Sequence, residues 1–341
     1  MKLYSNEIVF RGHPDKVCDQ ISAAILNECL KQDKHTRAGI EVVGGKGKIF
    51  VTGEVTTTAK FDLKAIVKRV LKDVGYSTEY EIIDNLGHQS SDIALGTNDK
   101  VGGAGDQGMM FGYACNDTIQ KLPTAMVILQ KLAKQYDELR KAQPDIFYPD
   151  GKAQITGYYD NEFKLVKIKD FTISYQNCEE YRELSDRQIK DIAITICREY
   201  GIEVERFLIN PTGKFKIGGF EGDAGLTGRK IVVDAYQSFA NVGGGCMNGK
   251  DPTKVDISAA HKAREIAKTT LEAYKLKWCE VQLSYAIGLE EPLAIYIDSN
   301  EGTIEPTKEL YERCKPANII NDLGLLKVDY EELAKYGHFT N

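Results

Sequence analysis

Hydrophobic positions along the chain change rhythm in a repeating order. After Pro14, the residues Val17, Ile21, Ala24, Ile25 and Cys29 recur at helical spacing. Proline suits the first helical position, and Asp15 and Asp19 favour the positive end of the dipole. The pattern predicts a helix with one apolar face, entered from a short strand (residues 7–10) and a sharp stop at Gly12-His13-Pro14-Asp15. Two strands follow around Gly44-Gly45-Lys46-Gly47, over residues 39–43 and 48–57. In the second, Ile49, Val51, Gly53 and Val55 alternate with Lys48, Phe50, Thr52 and Glu54. An amphipathic helix over residues 61–74 is closed by Gly75.

A related order is predicted twice more. Strands at 154–159 and 165–175 precede a helix at 185–200 with Gly201 after it. A strand at 230–239 precedes a helix at 257–274 with Asp256 at its N-cap, and strands at 280–287 and 293–298 come last. The expectation is an α+β protein of three similar units, each about 100 residues, an ordinary domain size. Glycine-rich seams at Gly102-Gly103 and Gly218-Gly219 divide it into 1–101, 102–217 and 218–341. The repeat is one of element order; the segments show no sequence self-similarity.

Composition narrows the function. With 42% hydrophobic and 28% charged residues the chain can build cores, so disorder is not the default. A net charge of -6 disfavours nucleic acid and anionic membrane surfaces as partners, so any bound anion must be met by a local basic cluster. The eight cysteines are scattered without a Cys-x-x-Cys pair, which argues against a zinc knuckle and a disulfide framework. No apolar run is long enough for a signal peptide or a membrane span, and the expectation is a cytoplasmic protein.

Three glycine-rich segments carry the candidate chemistry. In Gly12-His13-Pro14-Asp15-Lys16, a helix start offers free N–H groups to a phosphate, His13 could donate to it, and Asp15 could hold a divalent metal. Alone, the segment is better read as a helix start whose Asp15 complements the dipole, with a surface histidine before it. Gly103-Ala104-Gly105-Asp106-Gln107-Gly108 matches the dinucleotide pattern G-x-G-x-x-G, but Met109 to Tyr113 do not open a helix and Asp106 would sit against a pyrophosphate. The plainer reading is a tight crossover in which Asp106 bonds its own backbone. Gly244 to Lys250 has P-loop spacing, yet Asp251-Pro252 follows instead of Ser/Thr, so it is not a Walker loop. Arg229, Lys230, Lys250 and Lys254 nonetheless concentrate four cations in two segments of an acidic chain, which suits a polyphosphate. Glu41 and Glu54 lie in strands, where exposed carboxylates are the common case.

Taken in series, these segments resemble the S-adenosylmethionine synthetases, or methionine adenosyltransferases. The likeness rests on Gly12-His13-Pro14-Asp15-Lys16-Val17-Cys18-Asp19-Gln20, on Gly103 to Tyr113, on Gly222-Asp223-Ala224-Gly225-Leu226-Thr227-Gly228-Arg229-Lys230, and on Gly249-Lys250-Asp251-Pro252-Thr253-Lys254-Val255-Asp256. It covers nearly the whole chain in the right order. The resemblance implies three α+β domains around a pseudo-threefold axis, and subunits that pair through sheet faces and share active sites as homodimers, with tetramers common. The implied substrates are ATP and L-methionine. The sulfur attacks the ATP 5′ carbon and the expelled triphosphate is hydrolysed. No base is needed for a sulfur nucleophile, so catalysis should rest on positioning and on electrostatic stabilisation of the leaving group.

By matching motif, the resemblance places His13 beside the triphosphate, Asp15 and Asp256 as ligands of two Mg²⁺ ions per site, and Glu41 as the K⁺ ligand. Glu54, Gln89, Asp223 and Lys254 correspond to the methionine pocket. Asp106, Asp150, Gly151, Lys152, Lys214, Phe215, Asp223, Arg229, Lys230, Cys246 and Lys250 join His13 at the ATP site, with His13, Lys152, Arg229 and Lys250 catalytic and Phe215 a flat face for adenine. Residues 89–97 resemble the mobile loop that covers the site. Three departures stand out: Phe10-Arg11 where the family usually has Ser-Glu, Cys246-Met247-Asn248 where it usually has Ala-Phe-Ser, and a shorter cover-loop region. An idle relative would have lost charged site residues, and none is lost.

Overall fold

The computed structural model describes residues 1–88 and 103–340. Its strands form three sheets, and each takes one strand from a distant part of the chain. In the first, β2 (Arg37–Gly45) and β3 (Lys48–Thr56) form a hairpin whose turn, Lys46-Gly47, has positive φ at both residues. β4 (Glu81–Gly87) lies parallel to β3, and the two-residue β9 (Gly225–Leu226) crosses from far along the chain to pair with β2. In the second, β6 (Phe147–Tyr159) and β7 (Leu165–Asn177) form the long hairpin, flanked by β8 (Val204–Ile209) and by the chain's first strand, β1 (Lys2–Val9). In the third, β10 (Trp278–Tyr285) is central between β11 (Ala294–Ser299) and β5 (Gly108–Cys115).

Helices cover these sheets where the apolar spacing requires. α2 (Leu63–Val74) begins with the Asp62 carboxylate accepting the Ala65 amide at 3.0 Å and ends at Gly75 in the left-handed region. α3 (Thr124–Ala142) and α4 (Arg182–Glu199) close a core over β1, β6 and β7. α7 (Val255–Ala273) packs on β5 and β10. A second, larger core joins α1 (Pro14–Gln32), α2 and α7 with the other two sheets.

Three expectations need correction. Helix α1 does not have one apolar face: every residue from Pro14 to Asn27 is buried, including Asp15, Lys16, Asp19, Gln20 and Ser22. It is packed by β2, β9, α2 and α10 (Tyr330–Tyr336), so its polar residues must find partners inside the protein. Residues 230–239 are not a strand. They form α6 (Ile231–Asp234) and a turn in which Gln237 and Ser238 have φ of 51 and 73. The β-branched run Ile231-Val232-Val233 favours extension, but burying Asp234 on Lys16 at 2.7 Å fixes a helical turn there instead. Asp256 also sits inside the first turn of α7, and the N-cap is Lys254.

Among the described residues no helix is long and apolar enough to cross a membrane. All eight cysteines are free thiols.

His261 on α7 gives the fold a measurable pH dependence. It is buried against His338 and Phe339, and burial lowers its pKa from 6.5 to about 4. Between those values the unfolded chain binds the proton and the folded chain does not. Stability therefore rises with pH across that window and is lost as pH falls from 6.5 toward 4. The contribution is about 3 kcal/mol. Urea unfolding at pH 7 and pH 4.5 should show a smaller drop in His261→Phe than in the wild type; equal drops would exclude His261 as a source.

Candidate active site

The charged side chains singled out in the sequence gather into two groups. The first forms at the N-terminus of α1. Asp15 is fully buried. Its Oδ1 accepts the Leu226 amide at 2.9 Å and meets Arg229 Nε at 3.2 Å, and its Oδ2 accepts from Lys230 Nζ at 2.6 Å. His13 caps the same turn, with Nδ1 accepting the Asp15 amide at 3.2 Å. Burial, with Lys230 and Lys152 and against Asp15, lowers the His13 pKa to about 4. The ring is neutral near pH 7, and because Nδ1 accepts, its proton is on Nε2, the donor form a phosphate oxygen needs.

Lys152 and Asp223 are close enough to act on His13 electrostatically, and both also act on Asp150. Asp150 Oδ2 accepts the Gly219 amide at 2.7 Å, and burial pushes its pKa up to about 6. Gly151 is packed too closely for a side chain, since a Cβ there would lie 2.6 Å from the Phe10 ring. Asp223 caps its own loop through the Ala224 amide at 2.8 Å.

The second group lies along the glycine-rich loop before α7. Lys250 Nζ is paired with Asp256, and Gly245 packs on the same carboxylate so closely that a Cβ would be 2.0 Å from Oδ1. Glu41 on β2 accepts the Thr227 hydroxyl; burial raises its pKa, and Lys250 opposes that shift. Cys246 sits beside Glu41 and Lys250 with its thiol pushed up by burial, so it is no nucleophile. One turn on, Lys254 lies 4.0 Å from Glu54 and 3.5 Å from Asp251. Asp106 bonds its own backbone, through the Gln107 amide at 2.7 Å, and its glycine motif rests on this loop: a Cβ on Gly105 would be 2.8 Å from the Thr253 oxygen. The motif runs into strand β5, not a helix, which removes the dinucleotide reading.

No hydrogen bond or ion pair among the described residues joins a member of one group to a member of the other. Lys214 and Phe215 stand apart from both: Lys214 pairs with Glu179 at 3.2 Å, and the Phe215 carbonyl accepts the Asn177 amide. Gln89 and the loop around it lie outside the described residues. Sequence reasoning gave no site role to Lys16, Thr227 and Asp234 and read Asp19 only as a helix-dipole residue, though their side chains hold the site's backbone and charges. The one signal available was Lys16 and Asp19 three apart on a helix, an arrangement equally common on exposed faces.

Donor chemistry decides which ions fit. Among the described residues no three His, Cys, Asp or Glu side chains converge on one point, so these residues form no all-protein metal cage. Magnesium, which uses one or two carboxylates and takes its remaining ligands from phosphates and water, fits Asp15 and Asp256. Glu41 with the Thr227 hydroxyl is an all-oxygen pair, suited to a hard monovalent cation.

Comparison with known proteins gives the same order of parts. The N-terminal, central and C-terminal domain models of S-adenosylmethionine synthetase match residues 1–93, 101–215 and 217–341. Proteins named S-adenosylmethionine synthase from two strains of Staphylococcus epidermidis are 40% identical over 371 aligned positions, covering 99% of this chain and 92% of theirs. One from Finegoldia magna is 41% identical, covering 98% and 93%. The chain belongs to the S-adenosylmethionine synthetase family. It is an enzyme of the methionine adenosyltransferase class, with the three-domain α+β fold of that family.

Proposed function

We propose that this chain makes S-adenosylmethionine by attack of the methionine sulfur on the ATP 5′ carbon, followed by hydrolysis of the expelled triphosphate to phosphate and pyrophosphate. The observation that carries the proposal is that each candidate metal carboxylate is matched with cations: Asp15 with Arg229 and Lys230, and Asp256 with Lys250. Lone carboxylates ringed by lysine and arginine suit a polyanion that arrives with divalent ions. Neutral His13 offers an Nε2–H to the triphosphate. Arg229, Lys230, Lys152 and Lys250 stabilise negative charge as the C–O bond breaks, which is where the transition state differs most from bound ATP. Glu54 and Lys254 present one charge of each sign to the amino and carboxylate groups of methionine. Two Mg²⁺ ions held by Asp15 and Asp256 would supply further neutralisation of the phosphates, and K⁺ would sit at Glu41. Mass detection of S-adenosylmethionine from ATP, L-methionine, Mg²⁺ and K⁺ tests the proposal. A product-free mixture containing intact, folded protein would refute it.

The same reading makes the active unit a homodimer at least. Glu41 and Glu54 are half-buried on sheet strands, and the outer sheet faces carry exposed Val43, Met109 and Tyr296 at 41%, 57% and 49%. Apolar residues in such positions are what a paired sheet face would cover. On this reading each charged group completes its site with the other group of a second copy. Sedimentation velocity at assay concentrations should find a dimer or tetramer, and a fully active monomer would contradict shared sites.

A further inference from the structure

Beneath both charged groups runs a buried polar chain that the reaction as described does not use. Residues 336–339 turn inward at Gly337, whose φ is 105 and whose Cβ position would lie 3.0 Å from the Asp234 carbonyl oxygen. The turn delivers His338, which is 4% exposed, and its backbone N–H donates to that same carbonyl at 2.9 Å. Phe339 anchors the segment by stacking on Tyr236 at 5.0 Å. The His338 ring places Nε2 at 2.9 Å from Asn248 Oδ1. Asn248 is equally buried, and its amide oxygen can only accept, so His338 Nε2–H is the donor. Nδ1 then carries no proton, in keeping with its lack of a hydrogen-bond partner among the described residues.

Asn248 is separated from Lys250 only by Gly249. Gly249 has a φ of 75, and a Cβ there would meet the Ile40 oxygen at 2.3 Å. Its carbonyl accepts the Ile40 amide at 3.0 Å, which ties the far side of the turn to β2. The near side is tied at Asn248, whose Oδ1 meets His338 and whose carbonyl accepts from Cys246 Sγ at 3.4 Å. We propose that His338 is a positioning residue for Lys250: by bonding Asn248 through its ring and the Asp234 carbonyl through its backbone N–H, it ties the two together and sets the turn that presents the Lys250 ammonium to Asp256 and, on the functional reading above, to the triphosphate.

The same chain reaches the other cation-bearing loop. The Asp234 carboxylate meets Lys16 at 2.7 Å, Lys16 meets Asp19 at 3.2 Å, and Asp19 Oδ1 accepts the Gly228 amide at 3.0 Å, next to Arg229. Asp234 is therefore a common anchor, and His338 acts on the branch that ends at Lys250.

The test uses the full-length protein, with inorganic tripolyphosphate and Mg²⁺ as the binding probe in calorimetry and steady-state kinetics alongside. His338→Ala should weaken tripolyphosphate binding and raise KM for ATP by about tenfold each, the scale of one buried hydrogen bond. KM for methionine should stay within about twofold. His338→Gln, whose amide can still donate to Asn248, should recover affinity to within about threefold of wild type. Asn248→Ala should reproduce the His338→Ala result with the ring left in place, and the double variant should add nothing further. Unchanged tripolyphosphate affinity in His338→Ala or Asn248→Ala overturns the proposal. Equal losses for ATP and methionine, or failed rescue by glutamine, do the same. If His338→Ala does not fold, Asn248→Ala decides by the same criteria. A wild type that binds tripolyphosphate but forms no S-adenosylmethionine refutes the functional reading, and the affinity comparison still decides the role of His338.

Discussion

Asp15→Asn is expected to form S-adenosylmethionine at least about a hundredfold more slowly than the wild type, and Asp256→Asn to do the same, in line with removal of an electrostatic element from an active site. Asp15 is the sharper case. Its two oxygens accept from Leu226 N and Lys230 Nζ, with Arg229 Nε against the first. An asparagine keeps one acceptor and turns an NH₂ toward one of those donors, so either the β9 amide or Lys230 loses its partner. The charge that holds the two cations is lost as well. Asp256→Asn can keep an oxygen toward Lys250, so its loss of rate isolates the missing charge from the missing geometry. The readout that separates a metal ligand from a mere scaffold is the Mg²⁺ titration. Both variants should need far more Mg²⁺ to reach half-maximal rate, with thermal melting confirming that they fold. Near-normal rates at low Mg²⁺ in both variants would sink the assignment of Asp15 and Asp256 to the metals.

What the sequence disclosed, and what it hid, divides along the range of the interactions. Helix α2 and its end at Gly75 are local, and hydrophobic spacing with a terminal glycine is enough to find them, though the spacing puts the start at Phe61 and does not show the Asp62 cap. The β2–β3 hairpin is local in the same way, and its alternation places Ile49, Val51 and Val55 inside. The burial of α1 on all sides was not legible, because Lys16, Asp19 and Gln20 look like a solvated face until Asp234, the Gly228 loop and Arg11 fold over them. Strand propensity misread residues 230–239 for a related reason. Ile231-Val232-Val233 favours extension by itself, and only the contact of Asp234 with Lys16, 218 positions apart, selects a helical turn. At the site, long specific motifs identified the chemical groups but not their arrangement. Nothing in the spacing tells that Arg229 and Lys230 fold onto Asp15 while Lys250 folds onto Asp256, or that Lys214 pairs with Glu179 away from both.

Lys250→Ala should strongly impair both adenosyl transfer and the hydrolysis of added triphosphate, by about a hundredfold or more in each, because the same ammonium faces the phosphates in both steps. The neighbouring residue supplies the contrasting test. In a true P-loop, Asp251→Ser would restore the usual hydroxyl after the lysine and at least preserve ATP handling. Here Asp251 is fully buried and directed away from such a role. Its Oδ1 accepts the Ala38 amide at 2.8 Å, which pins the loop to β2, and its Oδ2 accepts the Thr253 amide at 3.0 Å and the Thr253 hydroxyl at 2.5 Å. With Pro252 biasing the chain to extension, those bonds turn it toward Lys254 and the start of α7. A serine is too short to hold both sides, so the Ala38 amide is left unpaired in the interior at a cost of about 1–3 kcal/mol. Asp251→Ser should therefore melt earlier and turn over more slowly, and it should transfer no γ-phosphoryl group to another acceptor. Product analysis with γ-labelled ATP distinguishes the two loops. Intact triphosphatase activity in Lys250→Ala, or a labelled acceptor from Asp251→Ser, would mean that residues 244–250 hold the nucleotide as a P-loop does and that Lys250 has been given the wrong task.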